Sequence, residues 1–175
     1  MKGTVGIIGL GIMGGSIARN LAERGWEVVG FDLSPERRDE AAAAGVKLAP
    51  DVADVARRAE FIITSLPSPA AVAATASAIA ASGVPSRVVA EASTLSLEDK
   101  LAFEAALKAA GHVGLDCPLS GTGAQAAVRD LVVYGSGDSA AIARMMPIFA
   151  DFSREAHDLG VFGNGTRMKL VANLL

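Results

Sequence analysis

Three glycines, Gly9, Gly11 and Gly14, stand at fixed spacing between an apolar run and a helical one, in Val5-Gly6-Ile7-Ile8-Gly9-Leu10-Gly11-Ile12-Met13-Gly14. Gly9 permits a tight turn out of the strand, Gly11 lets main chain approach a diphosphate, and Gly14 lets the next helix lie close on the sheet. The helix beginning near Ile12 then turns its free N–H groups and the positive end of its dipole toward the phosphates. The following strand ends in Asp32, 18 positions beyond Gly14. A carboxylate there accepts hydrogen bonds from ribose hydroxyls. A glycine pattern alone is weak evidence. With a strand before it, a helix after it and an acid at that distance, it defines a dinucleotide-binding unit. The other common phosphate loop is excluded, because no Gly-Lys-Ser or Gly-Lys-Thr follows.

The rest of the chain keeps the same rhythm. Apolar runs predict strands at 3–8, 27–31, 60–64, 87–91, 112–116 and 131–135, with a weaker one at 46–48. Between them, Ala-rich stretches predict helices near 12–24, 35–44, 51–57, 69–81, 96–110 and 138–149. Ser34-Pro35 supplies an N-cap with proline at the first helical position, and Ser96-Leu97-Glu98-Asp99 puts acids in a first turn. Gly25, Gly45 and Gly111 each follow a helical run, where a left-handed residue closes a helix. Such alternation predicts an α/β fold, a doubly wound Rossmann-type, mostly parallel sheet over residues 1–162.

Composition narrows the function classes. Sixteen basic and nineteen acidic side chains leave a net charge of −3, which advertises neither a nucleic-acid face nor a membrane-binding patch. Residues 61–86 carry no charge, yet Pro67, Pro69, Gly83 and Pro85 make them a poor lipid solute; they read as strand, loop, helix and turn in a soluble protein. Cys117 is the only cysteine, so no internal disulfide forms and a reducing, cytoplasmic location is expected. It reads as a small apolar residue at a strand end rather than a nucleophile. No metal site is expected.

The final stretch differs. Gly163-Asn164-Gly165 reads as a flexible turn, followed by an apolar helix from Thr166 to Leu175. Residues 163–175 are expected to begin an interdomain helix leading to a helical domain beyond this chain. Lys169 and Asn173 stand four apart and share one face of it. A lysine among Met168, Leu170 and Val171 is either partly desolvated, which lowers its pKa, or snorkels to solvent.

Four segments in this order resemble the β-hydroxyacid dehydrogenase family, whose members include 3-hydroxyisobutyrate dehydrogenase and tartronate semialdehyde reductase, with 6-phosphogluconate dehydrogenase a relative. Gly9-Leu10-Gly11-Ile12-Met13-Gly14 is similar to the family's cofactor signature, including its methionine. Asp116-Cys117-Pro118-Leu119-Ser120-Gly121-Thr122 is similar to its substrate-binding segment, and Gly163–Lys169 with Asn173 to its catalytic helix. Leu66-Pro67 and Ser93-Thr94 match places where the family lines the nicotinamide end of the cofactor. The resemblance implies hydride transfer between NAD(P) and a small 3-hydroxy acid or semialdehyde, with Lys169 as general acid/base and Asn173 orienting substrate. It implies that Ser120 and the N–H groups of Gly121 and Thr122 hold a carboxylate. It also implies a homo-oligomer formed through the helical domain, whose partner residues help close the site. A non-catalytic dinucleotide-binding or oligomerisation module, and an imine reductase, are the alternatives; the retained Lys169 speaks against both.

The departures carry expectations of their own. Thr122 stands where the family has a second glycine, Gln125-Ala126 replaces a Gly-Ala pair, Arg129 replaces another glycine, and Glu91 replaces the usual acid before Ser93-Thr94. Thr122 and Gln125 would add hydrogen-bonding groups to the pocket, implying a smaller or more polar substrate than 3-hydroxyisobutyrate. Asp32-Leu33-Ser34 favours NAD, because a carboxylate repels a 2′-phosphate; Arg37 and Arg38, a turn later, leave NADP possible.

Overall fold

The computed structural model describes residues 2–175. A first sheet is built from β1 (Thr4–Ile8), β2 (Glu27–Phe31), β3 (Lys47–Leu48), β4 (Phe61–Thr64), β5 (Val88–Glu91) and β6 (Val113–Asp116). All its neighbours run parallel, in the order β3-β2-β1-β4-β5-β6. This is the doubly wound dinucleotide-binding order, with the strand sequence reversing between β1 and β4. Helices α1 (Ile12–Glu23), α2 (Pro35–Ala43), α3 (Val52–Arg58), α4 (Pro69–Ala81) and α5 (Leu97–Ala109) make the crossovers.

Two cores form because the strands are apolar on both sides. Ile17 and Leu21 of α1 pack with Val5, Ile7 and Ile63 on one face. Val55 of α3, Val72 and Ile79 of α4, and Phe103 and Leu107 of α5 pack with Ile8, Ile62 and Val89 on the other. The helix starts are fixed by capping oxygens: Ser34 accepts from Arg37 N, Asp51 from Asp54 N, Ser68 from Ala71 N and Ser96 from Asp99 N.

The last third departs from the simple rhythm. After β6 come β7 (Leu119–Ser120), α6 (Gly123–Ala127), β8 (Val132–Gly135), α7 (Ser139–Ala150), β9 (Glu155–Asp158) and α8 (Asn164–Leu174). The strand expected at 131–135 lies outside the parallel sheet. It is the centre of a three-stranded sheet, antiparallel to β7 and parallel to β9. The expectation of a flexible turn at 163–165 is corrected: Asn164 and Gly165 form the first turn of α8. A Cβ at Gly165 would stand 2.3 Å from Tyr134 O and 2.8 Å from Asp116 O. That glycine permits close packing rather than motion.

Arg129 has φ 59°, a left-handed backbone at a position where the resembled family has glycine. Its guanidinium lies 3.6 Å from Glu23. Left-handed backbone costs a non-glycine residue roughly 1–2 kcal/mol, and the added freedom of an unfolded glycine takes back about 0.5–1 kcal/mol. Arg129→Gly is therefore expected to raise stability by about 0.5–1 kcal/mol, read as a small upward move of the thermal midpoint. A drop in that midpoint would mean that the Glu23 pair outweighs the backbone strain.

Candidate functional site

The glycine turn is built by close approach. Gly9 has φ +94°, and a Cβ there would lie 2.0 Å from Ser65 O. A Cβ on Gly14 would lie 1.8 Å from Gly9 O, so α1 packs directly on the turn that precedes it. Gly11 is different: a Cβ there meets nothing within 4 Å. It is the N-cap of α1, makes no side-chain cap, and has no acid in the turn after it. Uncapped N–H groups beside open space suit a diphosphate, and so the residues present fit that group.

Asp32 reaches back to this loop. Its Oδ2 accepts from Leu10 N at 2.7 Å and its Oδ1 from Ser34 N at 2.8 Å. Both bonds orient the carboxylate at the end of β2, and each oxygen keeps a second lone pair for a ribose hydroxyl. A cleft of about 730 Å³ opens between these elements, where the strand order reverses. Gly9, Gly11, Ile12, Met13, Asp32, Leu66 and Pro67 line it. Gly14 lies beneath it, buried. Ser93 and Thr94 are not among its walls. Ser93 is buried and acts from behind, its Oγ accepting from Leu66 N at 2.8 Å; Thr94 is exposed. The sequence reading missed the far wall, where Val52, Ala71, Ala74 and Thr75 give apolar surface.

The segment expected to hold substrate abuts the glycine loop. A Cβ on Gly123 would come 2.7 Å from Ile12 Cγ2. Helix α6 is held to α1 by Asn20 Nδ2, which donates to Ala126 O at 2.8 Å in a buried position. Ser120 ends β7, half-buried, and Gly121 is exposed. Thr122 and Gln125 depart from expectation. Thr122 Oγ1 accepts from Gln125 N, and Gln125 Oε1 accepts from Thr122 N at 2.8 Å, a reciprocal capping box. Gln125 Nε2 donates to Asp130 at 3.3 Å. The Thr122 N–H expected for a carboxylate is thus taken within the chain, and Gln125 is engaged by the helix start and Asp130.

Beyond the cleft lies a row that sequence reading did not assemble. The register aligns Thr64 with Glu91 and Glu91 with Asp116 at the carboxyl ends of β4, β5 and β6. Lys100 of α5 inserts there: its Nζ is 3.0 Å from Glu91 O, 3.1 Å from Asp116 Oδ1 and 3.7 Å from Glu91 Oε1, all three side chains fully buried. Asp116 also accepts from Thr166 N and Thr166 Oγ1, each at 2.8 Å. Helix α8, whose own N-cap Gly163 makes no side-chain bond, takes its cap from a residue fifty positions earlier. Lys169 lies one turn further on, half-buried, and burial lowers its pKa from the ordinary lysine range. Asn173, a turn beyond, is exposed. Cys117 beside the row is buried, and desolvation pushes its thiol far up, so it stays neutral.

A parallel sheet with this switch-point cleft, an open glycine turn and an acid on the second strand defines a dinucleotide-binding domain. Residues 4–163 match the family described as the NAD-binding domain of 6-phosphogluconate dehydrogenase. The solved structure of Mycobacterium tuberculosis 3-hydroxyisobutyrate dehydrogenase with L-serine superposes with a TM-score of 0.94 at 29% identity, covering 98% of this chain and 59% of that one. Among curated relatives, an NAD-dependent L-serine dehydrogenase of Pseudomonas aeruginosa is 31% identical over 98% of this chain and 58% of its own. Glyoxylate/succinic semialdehyde reductase 1 of Arabidopsis thaliana is 28% identical over 98% and 60%. The chain belongs to the β-hydroxyacid dehydrogenase family through this NAD-binding domain, and it spans roughly three-fifths of the length of these relatives. Among the described residues, no helix is long and apolar enough to cross a membrane.

Two glycine substitutions separate binding from packing. Gly11→Ala should leave the thermal midpoint unchanged, since its Cβ enters open space, yet weaken NADH about tenfold or more by crowding the diphosphate. Gly14→Ala should lower the midpoint markedly as well, because its Cβ meets Gly9 O. Calorimetry and NADH fluorescence titration on both variants check this; equal losses of stability would contradict it.

Proposed function

We propose that the protein is an NAD-dependent oxidoreductase that interconverts a small 3-hydroxy acid and its semialdehyde, with Lys169 as general acid/base. The observation that carries this reading is the placement of α8. The helix starts against Asp116 and Pro118, at the head of the segment that runs on to Ser120 and the glycine loop. It presents a lysine whose pKa is lowered by burial, the direction that favours proton transfer. The names of the relatives favour hydroxy-acid chemistry over a purely structural role.

When bound, nicotinamide supplies or accepts the hydride. The chain's own residues do the rest. Ser120 and Gly121 N–H hold the substrate carboxylate, while Asn173 orients the substrate, so that its reacting carbon is held at contact distance. In oxidation the Lys169 amine takes the hydroxyl proton; in reduction its ammonium returns one to the nascent alkoxide. Asp32 favours NAD over NADP by hydrogen bonding the ribose and repelling a 2′-phosphate. Residues 163–175 lead into a helical domain, and the exposed Leu170, Val171 and Leu174 are the face it covers in a homo-oligomer.

The pH dependence has opposite signs in the two directions. Oxidation needs neutral Lys169, so kcat/KM should rise with pH and level off above a midpoint that lies below the ordinary lysine range. Reduction needs the ammonium and should fall through the same midpoint. Lys169→Ala should cost about 10²–10⁴-fold in kcat/KM and abolish this limb, with NADH affinity retained. The test is a screen of the protein with NAD and NADP against small 3-hydroxy acids across pH. Near-normal rates in Lys169→Ala would dismiss the role.

A further inference from the structure

We propose that the buried row Glu91–Lys100–Asp116 is a positioning device that sets helix α8, and with it Lys169, against the loops behind the cofactor cleft. This rests on the reading of Lys169 given above, although its geometry stands independently. Two sets of bonds leave the row in opposite directions. Toward the cleft, Glu91 accepts from Thr64 Oγ1 and from Ser93 N, and Ser93 Oγ accepts in turn from Leu66 N, in the loop that lines the cleft. Toward α8, Asp116 accepts from Thr166 N and Oγ1, and Ser136 Oγ, within 3.5 Å of the same carboxylate, accepts from Gly165 N at 3.0 Å. Lys100 touches both halves.

The register leaves little choice. Adjacent parallel strands bring Glu91 and Asp116 side by side, both fully buried, where like charges would repel strongly. A cation between them fixes both. Buried ion groups of this kind contribute little net stability compared with well-packed apolar side chains, so fixing geometry is the role that fits this row. Lys100 is placed for this by its own helix, since Phe103 and Leu107 follow it on the buried face of α5. Its terminal ammonium reaches the strand ends from within that face. The first turn of α8 is then held by side chains of β6 and of the residue after β8, so a displaced Asp116 carboxylate would displace the helix.

The test uses two variants, one at each end of the link. Thr166→Val removes only the hydroxyl bonded to Asp116, and Thr166→Ser restores it; Lys100→Met removes the cation with its stem volume kept. Two readouts are taken on folded protein: the pH profile of Lys169 reactivity toward an acylating reagent, followed by mass spectrometry, and kcat and KM with NADH affinity alongside. A positioning role predicts that Thr166→Val and Lys100→Met move the Lys169 midpoint up toward that of a free lysine. It also predicts that kcat falls about tenfold or more while NADH affinity stays within about twofold. Thr166→Ser should behave as the unaltered chain does. An unchanged Lys169 profile and kcat in folded Thr166→Val, with only the thermal midpoint lowered, would overturn the proposal. Should Lys100→Met not fold, Thr166→Val and its serine rescue decide. Should the protein turn over no hydroxy acid, the catalytic reading fails, while the labelling profile still decides whether the row positions α8.

Discussion

The register of one parallel sheet governs most of this molecule. Because β1 and β4 are neighbours with their crossovers on opposite faces, their carboxyl ends part, and the glycine turn and the Leu66–Pro67 loop border the opening. Along the same edge, from β4 through β5 to β6, the alignment places Thr64, Glu91 and Asp116 in a row. A single edge of the sheet therefore presents main-chain N–H groups to a ligand at one place and buries paired acids at another. The first needs openness and the second needs exclusion of water. Helix α5, by carrying Lys100 inward, satisfies the second without closing the first.

Much of this was legible in the residues. Runs such as Phe61-Ile62-Ile63 are apolar on both sides, and that continuity marks a strand covered on both faces. Gly25, Gly45 and Gly111 do adopt positive φ after their helices, and Ser34 and Ser96 do cap theirs. The elements that escaped detection are short or polar. β7 has two residues and α6 five, and β9, Glu155-Ala156-His157-Asp158, has no apolar alternation to betray it. Lys100 escaped because a lysine in an amphipathic helix normally faces water. Its spacing to Phe103 and Leu107 on the buried stripe was the available signal.

Between Thr122 and Gln125 the side chains are engaged locally, for a definite reason. Thr122-Gly123-Ala124-Gln125 is a capping-box sequence, and in a five-residue helix the local demand for N–H and carbonyl partners wins over presentation to a ligand. The polarity added by Thr122 and Gln125 is thus largely spent inside the loop. What remains facing outward there is backbone at Gly121 and the Ser120 side chain, a smaller donor set than composition suggests. The tie from Asn20 to Ala126 makes this loop and the glycine turn neighbours through one helix, so the two loops share a rigid support.

Trp26, the only tryptophan, sits at the opposite edge of the sheet, just before β2, with its Nε1 donating to Asp151 at 2.8 Å while Lys2 pairs with the same carboxylate. That arrangement clips the first residues of the chain to the residue that closes α7. Tryptophan fluorescence accordingly comes from a clasp between the beginning of the domain and its late helices. A shift of tryptophan emission on heating would register the opening of that clasp, whereas the glycine turn, at the other end of β1, has no tryptophan to report on it.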